Sequence, residues 1–234
     1  LNIRSKAPYR QGDHTGRMMM RIEEILLKEM PSVVLVQGDT NTVLAGALTT
    51  SKISTTRSFT GFDIKLGHVE AGLRSYDRGM PEEINRVTAD HLSDFLFAPT
   101  ALSRKTAISE GIMPSRVWVT GNTIVDAIEH GLSLAKRRGR ALSRYGLGKG
   151  PFMLLTLHRQ ENVDNGKRLK DILRGIDKVA KKAGMPVIFP IHPRTVKKFR
   201  DFGIRPPGTL RIVDPSGFLD FLQMEEAAEL ILTD

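Results

Sequence analysis

Cysteine is absent from the 234 residues. Disulfides and thiolate metal sites are therefore excluded, and the absence fits a reducing compartment. No run approaches the roughly 18 apolar residues of a membrane-spanning helix, and no signal-peptide pattern opens the chain. A cytoplasmic protein without a membrane partner is expected. A P-loop is also lacking, and the glycine-rich stretch Gly146, Gly148, Gly150 precedes an apolar run instead of following one, so it is not a dinucleotide fingerprint. The histidines His14, His68, His91, His130, His158 and His192 are scattered. They form no metal-ligand cluster, and core or surface roles are the default for His14, His91 and His130. No cofactor or metal is expected, and no repeat of solenoid period is present. An initiator Met is missing at Leu1, and the chain stops at Asp234 directly after the apolar residues 230–232. Ligand loops begin at such strand ends in open α/β sheets, so a fragment cut at both ends is expected.

What is present begins with a 40% hydrophobic content, enough for a real core, and a formal net charge of +9. A basic protein attracts anions, but the sign alone does not separate nucleic acid from a nucleotide or phosphate ester. Much of the excess is local, in Lys136, Arg137, Arg138, Arg140 and Arg144. That run reads first as a solvated linker. Only Tyr145 is interleaved with it, which argues against a single-strand stacking platform and against a nucleic-acid partner.

Short apolar runs alternate with helical patterns. The run VVLV at 33–36 reads as a strand buried on both faces. A helix follows at 42–50, a strand at 64–69, and a helix at 81–93 with Pro81 at its first position and Ile84, Val87, His91 and Leu92 on one face. Strands at 95–98 and 117–120 and a helix from about 123 to 136 complete a first domain, 1–140. Residues 141–150 read as an interdomain linker. The pattern restarts in 151–234, with strands at 152–157, 186–191, 210–213 and 230–233 and a helix at 167–182. Such alternation predicts parallel sheets flanked by helices, and two such domains form a ligand site at a cleft between them. The stretch 51–65, with Ser54, Thr55, Thr56, Ser58 and Gly61, reads as a surface loop.

Charged residues recur where strands end. Asp39, in Val36-Gln37-Gly38-Asp39-Thr40, either points into the crevice at a strand's carboxyl end or caps the next helix. Glu70, in Gly67-His68-Val69-Glu70-Ala71-Gly72-Leu73-Arg74, either pairs with Arg74, worth about 0.5 kcal/mol if exposed, or lies near Asp39. Two carboxylates held close push one pKa upward, one way to obtain a proton acceptor near neutral pH. In Met80-Pro81-Glu82-Glu83-Ile84-Asn85-Arg86 the glutamates suit a first helical turn, and Glu82 with Arg86 has the spacing of an ordinary helical ion pair. His158 and Arg159 follow the first strand of the second half and are donors suited to a diphosphate, or simply polar surface. His192 follows the next strand. Ser216 follows Asp214-Pro215, and Phe218 and Phe221 beyond it are core aromatics before they are a base-stacking site.

Together these segments resemble the non-hydrolysing UDP-N-acetylglucosamine 2-epimerases. The matches are QGDTNTVLAGAL at 37–48, GHVEAGLRSYDR at 67–78, MPEEINR at 80–86, FAPT at 97–100, VTGNTIVDA at 119–127, LHRQEN at 157–162 and LILTD at 230–234. They follow the family order across nearly the whole chain. The resemblance implies an α/β fold of two Rossmann-like domains with a cleft between them (GT-B-like), both incomplete here. It implies inversion at C2 of UDP-GlcNAc through elimination and re-addition of UDP. It casts Asp39, Glu70 and Glu82 as the sugar-facing carboxylates, Arg86 as their orienting partner, His158 and Arg159 as diphosphate contacts, His192 as cleft lining, and Ser216 and Phe221 as uridine contacts. A homodimer is implied too. The family's N-terminal GTRPE loop and the SGGxQEE segment after Asp234 are absent, so the 234 residues alone are expected to be weakly active at best. Other readings are an epimerase for a UDP-2,3-diacetamido-glucuronic acid, a GT-B glycosyltransferase, and a non-catalytic nucleotide-sugar sensor.

Overall fold

In the computed structural model, which describes residues 10–55, 61, 63–148 and 150–234, the short apolar runs become strands paired only in parallel. The chain falls into two units, Leu1–Thr123 and Ile124–Asp234. The first contains α1 (Gln11–Glu29), β1 (Val33–Gln37), α2 (Asn41–Thr55), β2 (Lys65–Val69), α3 (Pro81–Leu92), β3 (Phe95–Ala98), α4 (Ala101–Ser109) and β4 (Val117–Val119). Its sheet order is β1-β2-β3-β4. Alternate residues of the strands point to one face, where Val36 and Leu66 meet Val43, Ala47 and Ala89 of the covering helices, and Leu96, Ala98 and Val117 meet Ala107. Burying a side chain such as Leu66 or Leu96 stabilises by about 1.5–3 kcal/mol.

The second unit holds most of α5 (Thr123–Arg138), then α6 (Ala141–Arg144), β5 (Met153–Leu155), α7 (Gln160–Val163), α8 (Gly166–Ala183), β6 (Val187–Pro190), α9 (Pro193–Asp201), β7 (Leu210–Val213), α10 (Phe218–Ala227) and β8 (Leu230–Leu232). Its sheet order is β7-β6-β5-β8. The chain builds outward from β5 to β7 and then returns to place β8 on the other side of β5. That reversal makes the carboxyl ends of β5 and β8 a topological switch point, the place where open α/β sheets bind ligands. Among the described residues no helix is long and apolar enough to cross a membrane.

Four expectations change. The run 33–36 is not buried on both faces: among the described residues β1 pairs with β2 alone, and Val33 and Leu35 are 45% and 63% exposed. Helix α3 does not bury Ile84, Val87, His91 and Leu92 as one face. Ile84 is exposed, and Glu83, Asn85, Ala89 and Asp90 are buried instead, because their polar groups have partners below them. The segment 141–150 is not a solvated linker. Ala141, Tyr145 and Leu147 join Phe152, Leu154, Ile188 and Met224 in one core cluster, and α5 packs on α10, where Gly131 lies against Phe218 and Leu222. The units therefore divide at 123/124 instead of around 141–150. The cationic run is correspondingly engaged, with Lys136 paired to Glu226 at 2.8 Å and Arg144 stacked 5.3 Å over the Tyr145 ring. Of the expected loop 51–65, residues 51–55 are helical and Lys65 opens β2, while 56–60 and 62 lie outside the described residues.

Candidate functional site

The first group of residues gathers at the carboxyl ends of β1 and β2. These strands pair from Val33↔Lys65 to Gln37↔Val69, so Asp39 and Glu70, each just past a strand end, are neighbours by register. Gly38 has φ +79°, and a Cβ there would lie 3.3 Å from the Glu70 carboxylate. Glu70 itself has φ +70°, a conformation costing about 1–3 kcal/mol for a residue with a Cβ. Gly72 (φ +79°) lets the chain pass where a Cβ would sit 2.2 Å from the Ser103 carbonyl oxygen. Glu70 is thus held in its turn by close packing on both sides.

Asp39 does not cap α2, which begins at Asn41; its carboxylate is ion-paired with Arg86 of α3, and its carbonyl accepts from Asn85 Nδ2 at 2.8 Å. Arg86 pairs with Asp39 and with Glu83 (3.3 Å) instead of with Glu82. Glu83 is buried. It accepts the Ser75 N–H, the Ser75 hydroxyl and the Tyr76 N–H, each at 2.9 Å. Burial opposes its charge, but those donors and Arg86 outweigh burial and hold its carboxyl below the usual glutamate range. A carboxylate with its lone pairs so occupied anchors a loop and is a poor proton acceptor. Glu82 is exposed on the first turn of α3.

Arg74 likewise departs from the expected pairing with Glu70. It binds Asp90 at 2.7 Å and Glu110 at 2.6 Å. Burial disfavours its charge, but the Glu110 and Asp90 carboxylates raise its pKa above the ordinary arginine value. Asp90 also accepts the Gly72 N–H at 3.0 Å and faces His68 Nδ1 at 2.7 Å. Sequence reading missed Glu83, Asp90 and the buried His68. The available signal was the spacing of Glu83, Arg86 and Asp90, which puts three charges on one helix face, with an acid in a last turn where the helix dipole disfavours it.

The second group lies at the switch point of the other unit. His158 and Arg159, both exposed, follow β5, and Asp234 follows β8. The Asp234 carboxylate accepts the N–H groups of His158 (3.2 Å) and Arg159 (2.9 Å) and the Asn162 amide (3.0 Å). It also sits 3.3 Å from His158 Nδ1, which turns Nε2 of that ring outward. Burial raises the Asp234 pKa, but Asn162, the two N–H groups and His158 outweigh it and lower the net value. Asp234 was not anticipated as a site organiser, since nothing local in the sequence ties it to residue 158. His192 caps α9, its Nδ1 accepting the Arg194 N–H at 3.2 Å. A cavity of about 630 Å³ opens at the carboxyl ends of β6 and β7, between Ile191, Pro193, Asp214 and Pro215, with Arg200 and Arg211 on its wall. Beside Pro215, the Ser216 hydroxyl is buried and has no hydrogen-bond partner among the described residues. Phe221, expected at the nucleoside, packs partly buried against the core around Tyr145 and Met224. No group of metal-ligating side chains occurs among the described residues.

The chain as a whole is similar to known proteins. A model of the family described as UDP-N-acetylglucosamine 2-epimerase matches residues 1–234. A UDP-N-acetylglucosamine 2-epimerase of Methanocaldococcus jannaschii is 48% identical over 240 residues, covering 100% of this chain and 62% of the relative. A UDP-2,3-diacetamido-2,3-dideoxy-D-glucuronate 2-epimerase of Pseudomonas aeruginosa is 38% identical over 226 residues, 95% of this chain and 59% of the relative. A crystal structure of the Methanocaldococcus jannaschii UDP-GlcNAc 2-epimerase, in complex with UDP-GlcNAc and UDP, superposes with a TM-score of 0.88 at 47% identity, over 100% of this chain and 62% of that one. The chain thus spans about 62% of the length of these M. jannaschii counterparts.

Proposed function

This chain belongs to the UDP-N-acetylglucosamine 2-epimerase family, and from that premise we propose that the protein containing it inverts C2 of UDP-GlcNAc by eliminating and re-adding UDP. The observation that carries the proposal is the convergence of Asp39, Glu70 and Arg86 at two adjacent strand ends. The C2 hydrogen of the sugar is barely acidic, so departure of UDP must assist its removal. In the starting sugar that hydrogen and the UDP oxygen are both axial and opposed, which suits anti elimination to 2-acetamidoglucal. The ring becomes oxocarbenium-like, and Asp39, Glu70 and Glu82 stabilise the developing positive charge. Arg86 holds Asp39 in place. Among the described residues Glu70 and Glu82 keep carboxylates free of ion pairs, so they are the acids open to the C2 proton.

The leaving diphosphate gains negative charge, which His158 and Arg159 stabilise from the switch point. Asp234 fixes the ring of His158 for that contact. His192 lines the same site. The cavity beside Asp214 and Pro215 has the size of a ligand site, and it suits the uridine, with the unpartnered Ser216 hydroxyl as a hydrogen-bonding group for it. Phe221 supports that wall from behind. The acid groups and the diphosphate groups act on one substrate, in a homodimeric, cytoplasmic enzyme that needs no cofactor. The 48% identity to a UDP-GlcNAc epimerase, against 38% to the diacetamido-glucuronate enzyme, favours the simpler sugar.

The test is to incubate the full-length protein with UDP-GlcNAc in D₂O and follow C2 by NMR, with the diacetamido-glucuronate substrate in parallel. Deuterium at C2 of UDP-GlcNAc and appearance of the manno epimer are expected. Binding without exchange would mean a sensor; sugar transfer without exchange would mean a glycosyltransferase.

A further inference from the structure

His68 is fully buried on β2, and both its ring nitrogens face oxygen acceptors. Nδ1 lies 2.7 Å from Asp90 Oδ1, and Nε2 lies 2.8 Å from the carbonyl oxygen of Gly38. The carbonyl has no proton to give, so Nε2 donates to it, while the other Asp90 oxygen, Oδ2, accepts the Gly72 N–H and pairs with Arg74. The ring is thus held at both of its nitrogens. Arg74 and Asp90 are both buried and paired, and Arg74 also meets the Glu110 carboxylate, with His91 at 3.9 Å from Glu110 at the outer end. A pair of opposite charges in such a place is tolerated only when geometry and hydrogen bonds are this complete.

The network touches both turns that carry the proposed sugar-facing acids. Through Gly38 it pins the residue before Asp39, and through Asp90 it pins Gly72, two residues after Glu70. Both pinned residues are glycines at φ +79°. We propose that His68 is a positioning residue for proton transfer at C2: its ring, clamped between Asp90 and the Gly38 carbonyl, sets the orientation of the Asp39 and Glu70 turns without itself touching substrate. This rests on the epimerase reading above.

The test uses the full-length protein with ¹⁵N-labelled histidine. Ligand-free NMR spectra should show a slowly exchanging His68 Nε2–H, held by the Gly38 carbonyl, and Asp90→Asn should speed its exchange. In kinetics, His68→Gln should lower kcat by about tenfold or more, toward the ~100-fold that a displacement of an ångström can cost. KM for UDP-GlcNAc should stay within about twofold, because uridine and diphosphate are proposed to be held by the other unit. The double variant with Asp90→Asn should lose little beyond either single one, as expected for groups acting as a unit. A rapidly exchanging His68 Nε2–H in the wild type overturns the proposal, as does a His68→Gln variant with unchanged kcat, or with kcat and KM degraded together. The spectra need no substrate, so they judge the His68 arrangement even if absence of deuterium exchange sinks the epimerase reading.

Discussion

Gly38 is excluded from bearing a side chain twice over, by its φ of +79° and by the Glu70 carboxylate 3.3 Å from where a Cβ would stand. Gly38→Ala should cost about 1–2 kcal/mol of stability and, by displacing Glu70, reduce C2 exchange far more than UDP binding. A calorimetric melt gives the stability cost, and C2 deuterium exchange measured beside a UDP titration separates the other two effects; equal loss of exchange and binding would refute the argument. Glu83 makes a different prediction. Its folded-state pKa is depressed by the Ser75 and Tyr76 donors and Arg86 in spite of burial, so its contribution to stability is present above the unfolded value of about 4.3 and lost as pH falls through the lower folded value. Glu83→Gln should destabilise by about 1–3 kcal/mol at pH 7, and the gap should close on acidification below about pH 4 in urea unfolding. A gap independent of pH would mean that charge plays no part there. At this scale the sequence makes Asp39 and Glu70 visible as acids at strand ends, but not which of the adjacent Glu82 and Glu83 is buried. That depends on the phase of α3 against the sheet.

The elements explain why some residues were legible and others not. Strands β1 to β8 follow from local apolar period and were readable to within a few residues, as were helices α3, α5 and α8, whereas the longest helix, α1, was not read at all. The partners of charged groups were not: Arg74 and Arg86 each find acids on another segment, Glu110 and Asp39, in place of the Glu70 and Glu82 that lie four residues away. Asp234 shows the same rule. It is bonded to a loop 72 to 76 positions away in sequence, brought there because β8 pairs with β5. Asp234→Ala would leave two backbone N–H groups and the Asn162 amide without their acceptor. We expect faster amide hydrogen exchange at His158 and Arg159 and weaker UDP binding by the full-length protein. Unchanged exchange at those two amides would remove Asp234 from the site.

Across the whole molecule, the assignment of α5 and α6 to the second unit is also testable. A side chain at Gly131 would press on Leu222 and Phe218 of α10, with Cβ contacts of 2.6 and 2.9 Å. Gly131→Val should destabilise by about 1–3 kcal/mol through overpacking, with protection lost in β5 and β6 and kept in β2 and β3 by hydrogen exchange. Loss centred on β2 and β3 would contradict the division at 123/124. The sequence by itself determined the α/β alternation, the strand ends and the set of ordered segments that resembles one epimerase family, because each of these is written in consecutive residues. Only the tertiary structure decided that Ala141, Tyr145 and Leu147 are core, that Asp90 and Arg74 share one buried network with His68, and that Asp234 organises the His158 loop. Those facts depend on which strands pair and which helix faces turn inward, and free energy fixes such choices over the whole chain at once.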